Sequence, residues 1–318
     1  MTDAAPPLQD QLAAATARLI GRAVMAADRF GIAVSGGADS MALLALAARQ
    51  WPGQVAAASV DHGLRPAARE EAEMVAHWCA AQGITHATPR PASPIGGNLQ
   101  SEGRKARYAL LEDWRTAQGL DWLLTAHHAD DQIETVLMRL NRGAGVGGLA
   151  GIRARQGVLL RPLLAVRRAA LRAWCVAEGV PFVDDPSNVD PRFDRARLRQ
   201  RIGALDLIDP ARLCRSVEAL GEADAALDWM TQRLAAEHVR ADGDALILAR
   251  TDFPPALLRR LLQTMVRTVH PQAEAPRGPA MDQALVQLFD GKTVTLADCI
   301  VTGGARWIVR RAPPRRVG

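Results

Sequence analysis

The sequence predicts an α/β protein: a doubly wound parallel sheet followed by a smaller, mainly helical domain that ends in a β-hairpin. Three observations carry this. Over about the first 190 residues short apolar runs alternate with amphipathic stretches of helical length, the pattern of βαβ units with helices on both faces of a sheet. After Pro191 the alternation gives way to long helical patterns. Near the C-terminus, Thr293–Val301 and Arg306–Arg311 flank Thr302-Gly303-Gly304, a hairpin signal.

Taken in order, Leu8, Leu12, Leu19, Ala23 and Met25 set up an opening helix, Phe30–Val34 reads as a buried strand and Ser40–Gln50 as a helix. Val55–Val60 is the second strand, followed by a helix over Pro66–Ala81 and a weaker strand over Ile84–Thr88. Leu99–Gln118 is helical, Trp122–Ala126 a strand and Ala129–Asn141 a helix. Beyond the break, Arg192–Ile202, Arg212–Val239 and Ala256–Val269 read as helices, and His270–Pro279 as a loop. The domains expected are 1–205 and 206–318, with Pro210 placed at a helix start.

The 318 residues allow about two domains. A chain 48% hydrophobic and 23% charged is ordinary for a globular protein, which excludes disordered, collagen-like and disulfide-stapled classes. No run approaches the roughly 18 apolar residues of a membrane span. The N-terminus shows no signal-peptide pattern. Cys79, Cys175, Cys214 and Cys299 are far apart and form no C-x-x-C pair, so neither a zinc knuckle nor a redox pair is expected, and a reducing, cytoplasmic setting fits. The net charge is +5. From Arg153 to Arg201 eleven arginines face five acids, and Arg306, Arg310, Arg311, Arg315 and Arg316 follow near the end. Such concentration is the footprint expected of a nucleic-acid or polyphosphate binder.

The strongest local signal is Ser35-Gly36-Gly37-Ala38-Asp39-Ser40, directly after the first strand and opening a helix. Two glycines permit a tight turn and close ligand approach, while hydroxyls and helix-start amides offer an anion site. It matches neither G-x-x-x-x-G-K-[ST] nor G-x-G-x-x-G. Asp39 would repel phosphate unless it holds a metal. A second cluster, Thr125 to Thr135, starts at the end of another strand and so points at the same rim. It carries His127, His128, Asp130, Asp131 and Glu134. Ile133, Val136, Leu137 and Leu140 form its buried face, while Asp131 and Glu134, three apart, share another. Helix capping alone would explain Asp130 but not the whole cluster.

Ser-Gly-Gly-x-Asp-Ser after a first strand resembles the PP-loop of the ATP pyrophosphatases, enzymes with an adenine nucleotide alpha hydrolase-like, Rossmann-like fold. The second cluster resembles the signature of the tRNA(Ile)-lysidine synthetases within that family. Further matches follow in order: Val60-Asp61-His62-Gly63-Leu64-Arg65; Arg104, Arg107 and Tyr108; Arg142-Gly143; Arg161-Pro162-Leu163-Leu164; Asp184-Asp185-Pro186-Ser187-Asn188; and Phe193 to Arg199. The chain departs at Ala196, where the family commonly has Asn.

The resemblance implies that ATP adenylates O2 of the wobble cytidine in a CAU-anticodon tRNA(Ile), and that free L-lysine then displaces AMP. It implies ATP contacts from Ser35, Gly36, Gly37, Ala38, Asp39, Ser40, Asp61 and His62. Mg²⁺ is implied on Asp39. Catalytic roles fall to Asp39, Arg107, His127, Asp131, Glu134, Arg195 and Arg199, with lysine binding on Asp131 and Glu134. Neither carboxylate is singled out as the base. No membrane partner is implied, and a homodimer is left open. A PP-loop tRNA thiolation enzyme and a non-enzymatic RNA-binding protein with a degenerate nucleotide fold stand as alternatives.

Overall fold

A computed structural model of the chain describes residues 6–61, 66–91, 99–184, 197–198, 208–272 and 278–313. These fall into two compact units, one within Met1–Met138 and Gly151–Val217, the other within Arg139–Ala150 and Glu218–Gly318.

The first unit is built on strands β1 (Phe30–Ala33), β2 (Val55–Ala58), β3 (Thr85–Ala87), β4 (Trp122–Leu124), β5 (Arg155–Gln156) and β6 (Leu159–Leu160). Their order is β3-β2-β1-β4-β6-β5, parallel throughout except for β5 against β6. Chain order therefore reverses between β1 and β4, and the crevice at their carboxyl ends is the position where such sheets bind ligands. The helices in chain order are α1 (Leu8–Ile20), α2 (Ala38–Gln50), α3 (Pro66–Ala81), α4 (Leu99–Ala117), α5 (Ala129–Asn141), the short α6 (Val146–Leu149) and α7 (Arg168–Ala177); α6 falls in the second unit, and the others lie wholly or mainly in the first.

Alternation along β1 explains the two layers. Phe30 and Ile32, both 0% exposed, join a core with Leu43, Leu44, Leu46 and Leu160. A second cluster is built on Ala56, Ala58, Leu111, Trp114 and Leu123. Helix α2 is buried from Ser40 to Ala47 and packs against α1, α7 and the sheet. A helix that is apolar all round belongs inside a protein, and this one anchors the loop that precedes it. Truncating Leu44 there to alanine would cost about 2–5 kcal/mol.

The second unit contains β7 (Val239–Asp242), β8 (Ala245–Leu248), β9 (Thr293–Leu296), β10 (Cys299–Thr302) and β11 (Trp307–Arg311), in the antiparallel order β7-β8-β11-β10-β9. Helix α8 (Pro210–His238) precedes it. Helices α9 (Pro255–Val269) and α10 (Pro279–Phe289) pack on the sheet, around Trp307, Leu258, Leu262 and Leu288.

The expected hairpin is present as β10 and β11, within a larger sheet than the sequence suggested. A Cβ on Gly303 would fall 2.2 Å from the Leu288 carbonyl oxygen, so this turn needs glycine for close packing. Thr293–Val301, read as one strand, is a second hairpin that turns at Ala297 and Asp298, with φ 47° and 57°. Ala-Asp lacks the Asn-Gly or Asp-Gly signature of such turns, which hid it. Strands β7 and β8 and helix α10 were also not read, and Pro279 opens α10 rather than closing a loop. The helix expected over Arg192–Ile202 lies outside the described residues except for Arg197 and Leu198, which are helical. No helix among the described residues is long and apolar enough to cross a membrane.

Candidate active site at the carboxyl ends of β1 and β4

The loop after β1 is held by its own serines. The Ser40 hydroxyl donates to the Gly37 carbonyl at 2.9 Å and accepts the Ser35 amide at 3.1 Å, and the two hydroxyl oxygens lie 3.2 Å apart. Gly36 has φ +84°, the left-handed region, and a Cβ there would also crowd Glu71. Its carbonyl accepts the Val183 amide at 2.9 Å, which ties the segment after α7 to the loop. In the first turn of α2 the Ser40 and Met41 amides donate to the Gly37 carbonyl at 3.1 and 3.0 Å, and the start of the helix, at Ala38 and Asp39, is the end that favours an anion.

A cavity of about 800 Å³ opens over this loop. Its walls are Ser35, Gly37, Ala38, Asp39 and Ser40 from the loop, Glu71 from α3, Arg104, Arg107 and Tyr108 from α4, Thr125 to His128 and Asp131 after β4, Arg168 from α7, and Val183 and Asp184. The volume suits a nucleotide-sized ligand. The Arg104 guanidinium stacks 5.1 Å from the Tyr108 ring centre and donates to its hydroxyl at 3.4 Å. His127 Nδ1 lies 3.0 Å from the Thr125 hydroxyl.

His128 is 3% exposed and is the hub of the carboxylates. Its Nε2 is 3.5 Å from Asp39 Oδ2 and 3.5 Å from Asp131 Oδ2, and its Nδ1 is 3.7 Å from Asp130 Oδ2. Burial pulls the ring's pKa down, but Asp39, Asp131 and Asp130 together outweigh it, so the net direction is up. Asp130 is turned away by Arg167, whose Nη1 donates at 3.0 Å, and by the Arg168 amide at 2.8 Å. Arg168 Nε stands 3.7 Å from Asp39 Oδ2.

Asp39 Oδ1 is buried without a hydrogen-bond partner. An unmet carboxylate oxygen beside an anion-binding loop fits Mg²⁺, which commonly takes one or two carboxylates and completes its shell with phosphate and water. No group of three or more metal-ligating side chains occurs among the described residues, so Asp39 would hold such an ion together with the phosphates.

A sequence profile of the PP-loop domain matches residues 8–205. The tRNA(Ile)-lysidine synthase of Zymomonas mobilis is 40% identical over 298 residues, covering 91% of this chain and 90% of that protein. That of Novosphingobium aromaticivorans is 43% identical with the same coverage. The chain belongs to the tRNA(Ile)-lysidine synthase family. The U34-tRNA thiolase NcsA from Methanococcus maripaludis is a structural neighbour with TM-score 0.55 over 67% of this chain and 78% of that one; at 15% identity it shows a shared fold alone.

The structure brings together on one cavity wall many of the residues that the lysidine synthase motifs single out. Ser35, Gly37, Ala38, Asp39, Ser40, Arg107, His127 and Asp131 all line it, while Gly36 shapes the loop from behind. Two others stand apart. Glu134 is 2% exposed and Asp61 8% exposed, and neither is on the cavity lining; Asp61 pairs with Arg90 at 3.0 Å. His62, Arg195 and Arg199 lie outside the described residues. The sequence places His128 in the second cluster without giving it a role, and offers no signal for Arg168 or Glu71. The doubled His127-His128 was a signal, but which of two neighbours turns inward is set by packing.

Proposed function

We propose that this chain ligates free L-lysine to C2 of the wobble cytidine of CAU-anticodon tRNA(Ile), forming lysidine. The product would read AUA instead of AUG and carry isoleucine instead of methionine identity. The observation that carries this reading is the convergence of the PP-loop and the Asp131 cluster on one cavity, in a chain 40% identical to a named lysidine synthase over nearly its whole length.

In the first step O2 of the cytidine attacks the α-phosphate of ATP, and pyrophosphate leaves from the loop Ser35–Ser40. Mg²⁺, when bound through Asp39, would offset phosphate charge. Arg107 and His127, both on the cavity lining, are assigned to meet charge as it redistributes. In the second step the lysine ε-amine attacks C2 and AMP leaves. Of the two carboxylates given to lysine, Asp131 is the one on the cavity lining and is assigned to the ammonium, which must lose a proton before attack. Glu134, as the second lysine carboxylate, would act from behind that wall. Arg195 and Arg199 are assigned to the nucleotide or tRNA backbone. The domain division proposed is catalytic over 1–205 and tRNA-binding over 206–318, with tRNA held mainly through phosphates and shape. A cytoplasmic setting fits these substrates.

A thiolation enzyme would be expected to use cysteine at the cavity, yet Cys79, Cys175 and Cys299 are buried and no cysteine is on the lining. The deciding experiment incubates the chain with unmodified CAU tRNA(Ile), ATP and lysine, then analyses nucleosides by mass. Lysidine with stoichiometric AMP is expected. A thiolated nucleoside, or tRNA binding with no AMP release, would favour one of the other readings.

A further inference from the structure

The two ring nitrogens of His128 have separate duties. Nδ1 accepts the Asp131 amide at 3.3 Å, the capping bond at the start of α5. In the neutral ring this leaves the proton on Nε2, which faces Asp39 Oδ2 and Asp131 Oδ2 at 3.5 Å each. Asp39 is delivered by the loop after β1 and Asp131 by the segment after β4, the adjacent strands at which chain order reverses. A helix cap needs only the acceptor, which Asn, Ser or Asp would supply without burying a second nitrogen between two acids. The Nε2 contacts are what capping leaves unexplained.

We propose that His128 is a positioning residue: through Nε2 it fixes Asp39 and Asp131 relative to each other, and so links the carboxylate at the ATP phosphates to the carboxylate at the amine substrate. The identity of that amine as lysine rests on the lysidine-forming reading. Two carboxylates delivered to one cavity repel each other and repel phosphate, and a donor placed between them offsets this. Arg168 supports Asp39 Oδ2 from another element, which leaves Oδ1 for a cation. His128 need touch neither substrate. It sets where the groups that do so stand.

Asparagine and glutamine separate the two duties, since the Asn oxygen can stand in for Nδ1 and the Gln amide nitrogen for Nε2. Dissociation constants for Mg-ATP and for lysine, with thermal unfolding midpoints, are measured on both variants. His128→Gln should hold both constants within about threefold of the parent, and His128→Asn should weaken both by about tenfold or more while unfolding no earlier than the Gln variant. Wild-type affinities in His128→Asn, or losses that simply follow the unfolding midpoints, would overturn the proposal. A second measurement leaves the buried ring intact: Asp39→Asn should weaken lysine binding without ATP by about tenfold, and a lysine affinity within about threefold of the parent would equally overturn it. A parent chain that binds Mg-ATP and lysine but makes no lysidine would sink the functional reading alone, with the positioning role still decided by these affinities.

Discussion

His128 and Asp131 cap each other: the His128 amide donates to Asp131 Oδ2 at 3.2 Å, and the Asp131 amide donates back to His128 Nδ1 at 3.3 Å. This is the reciprocal geometry of a capping box, with a histidine in the place usually taken by Ser or Thr. Asp131 therefore has a structural duty beside its proposed chemical one, and the two can be separated. Asp131→Asn keeps an acceptor for the His128 amide but loses the charge, so its unfolding midpoint should stay near the parent value while KM for lysine rises by about tenfold or more. Asp131→Ala should lose about 0.5–2 kcal/mol of stability as well. Unchanged lysine kinetics in Asp131→Asn would reduce the residue to its capping role.

Glu134 behaves differently because it is buried. Removing a carboxylate that is 2% exposed should lower the unfolding midpoint of Glu134→Ala, with lysine transfer impaired more than adenylation. Calorimetry and separate assays of pyrophosphate release and lysidine formation check this. A variant with the parent's stability and an isolated loss of lysine transfer would place Glu134 in direct contact with the amine.

Asp39→Ala removes the oxygen that lacks a partner and the one that faces His128 and Arg168. It should fail at adenylation, with pyrophosphate release down by about a hundredfold or more and tRNA affinity retained. Normal pyrophosphate release with defective lysine transfer would move Asp39 to the second step.

The cysteines should be chemically idle. Burial pushes the Cys79 thiol up to about 11 and the Cys175 thiol, helped by Asp39, also to about 11; Cys299 is raised as well. Thiolate is the reactive form, so native alkylation near neutral pH should be confined to the half-buried Cys214. Replacing all four should leave nucleoside modification intact, and a folded variant that binds ATP and tRNA yet modifies nothing would revive the thiolation reading.

Asp28 sets an acid limit on stability. Arg22 grips it with two hydrogen bonds, at 2.8 and 2.7 Å, and the Met25 amide donates at 2.7 Å, so its pKa falls from 3.8 to about 2. A carboxylate with a depressed folded pKa stabilises above its unfolded value, and that contribution is lost as pH falls from about 4 to about 2. Asp28→Asn should flatten the unfolding curve over this window and lower stability at neutral pH by about 1–2 kcal/mol. An unaltered acid profile would show that other carboxylates set it.

Much of this protein is decided locally and is therefore legible in its sequence. The run of apolar residues that makes α2 a core helix, the glycines that let Ser35–Ser40 turn, and the placement of His127 to Asp131 at a strand end follow from periodicity and short-range geometry. Those rules also located the cavity, because strand ends of a parallel sheet share one rim. What the tertiary structure alone decided is the direction of particular side chains. Asp131 and Glu134 are three residues apart on one helix, yet one borders the cavity and the other is buried, because spacing on a helix says which residues are neighbours but not what packs over them. His128 rather than His127 gathers the carboxylates, and Arg168 reaches Asp39 from 129 positions along the chain; no local pattern records either contact. The Ala297-Asp298 turn was hidden for a related reason. Residues that would not choose a left-handed turn by themselves are held there by the ladders of the five-stranded sheet on either side.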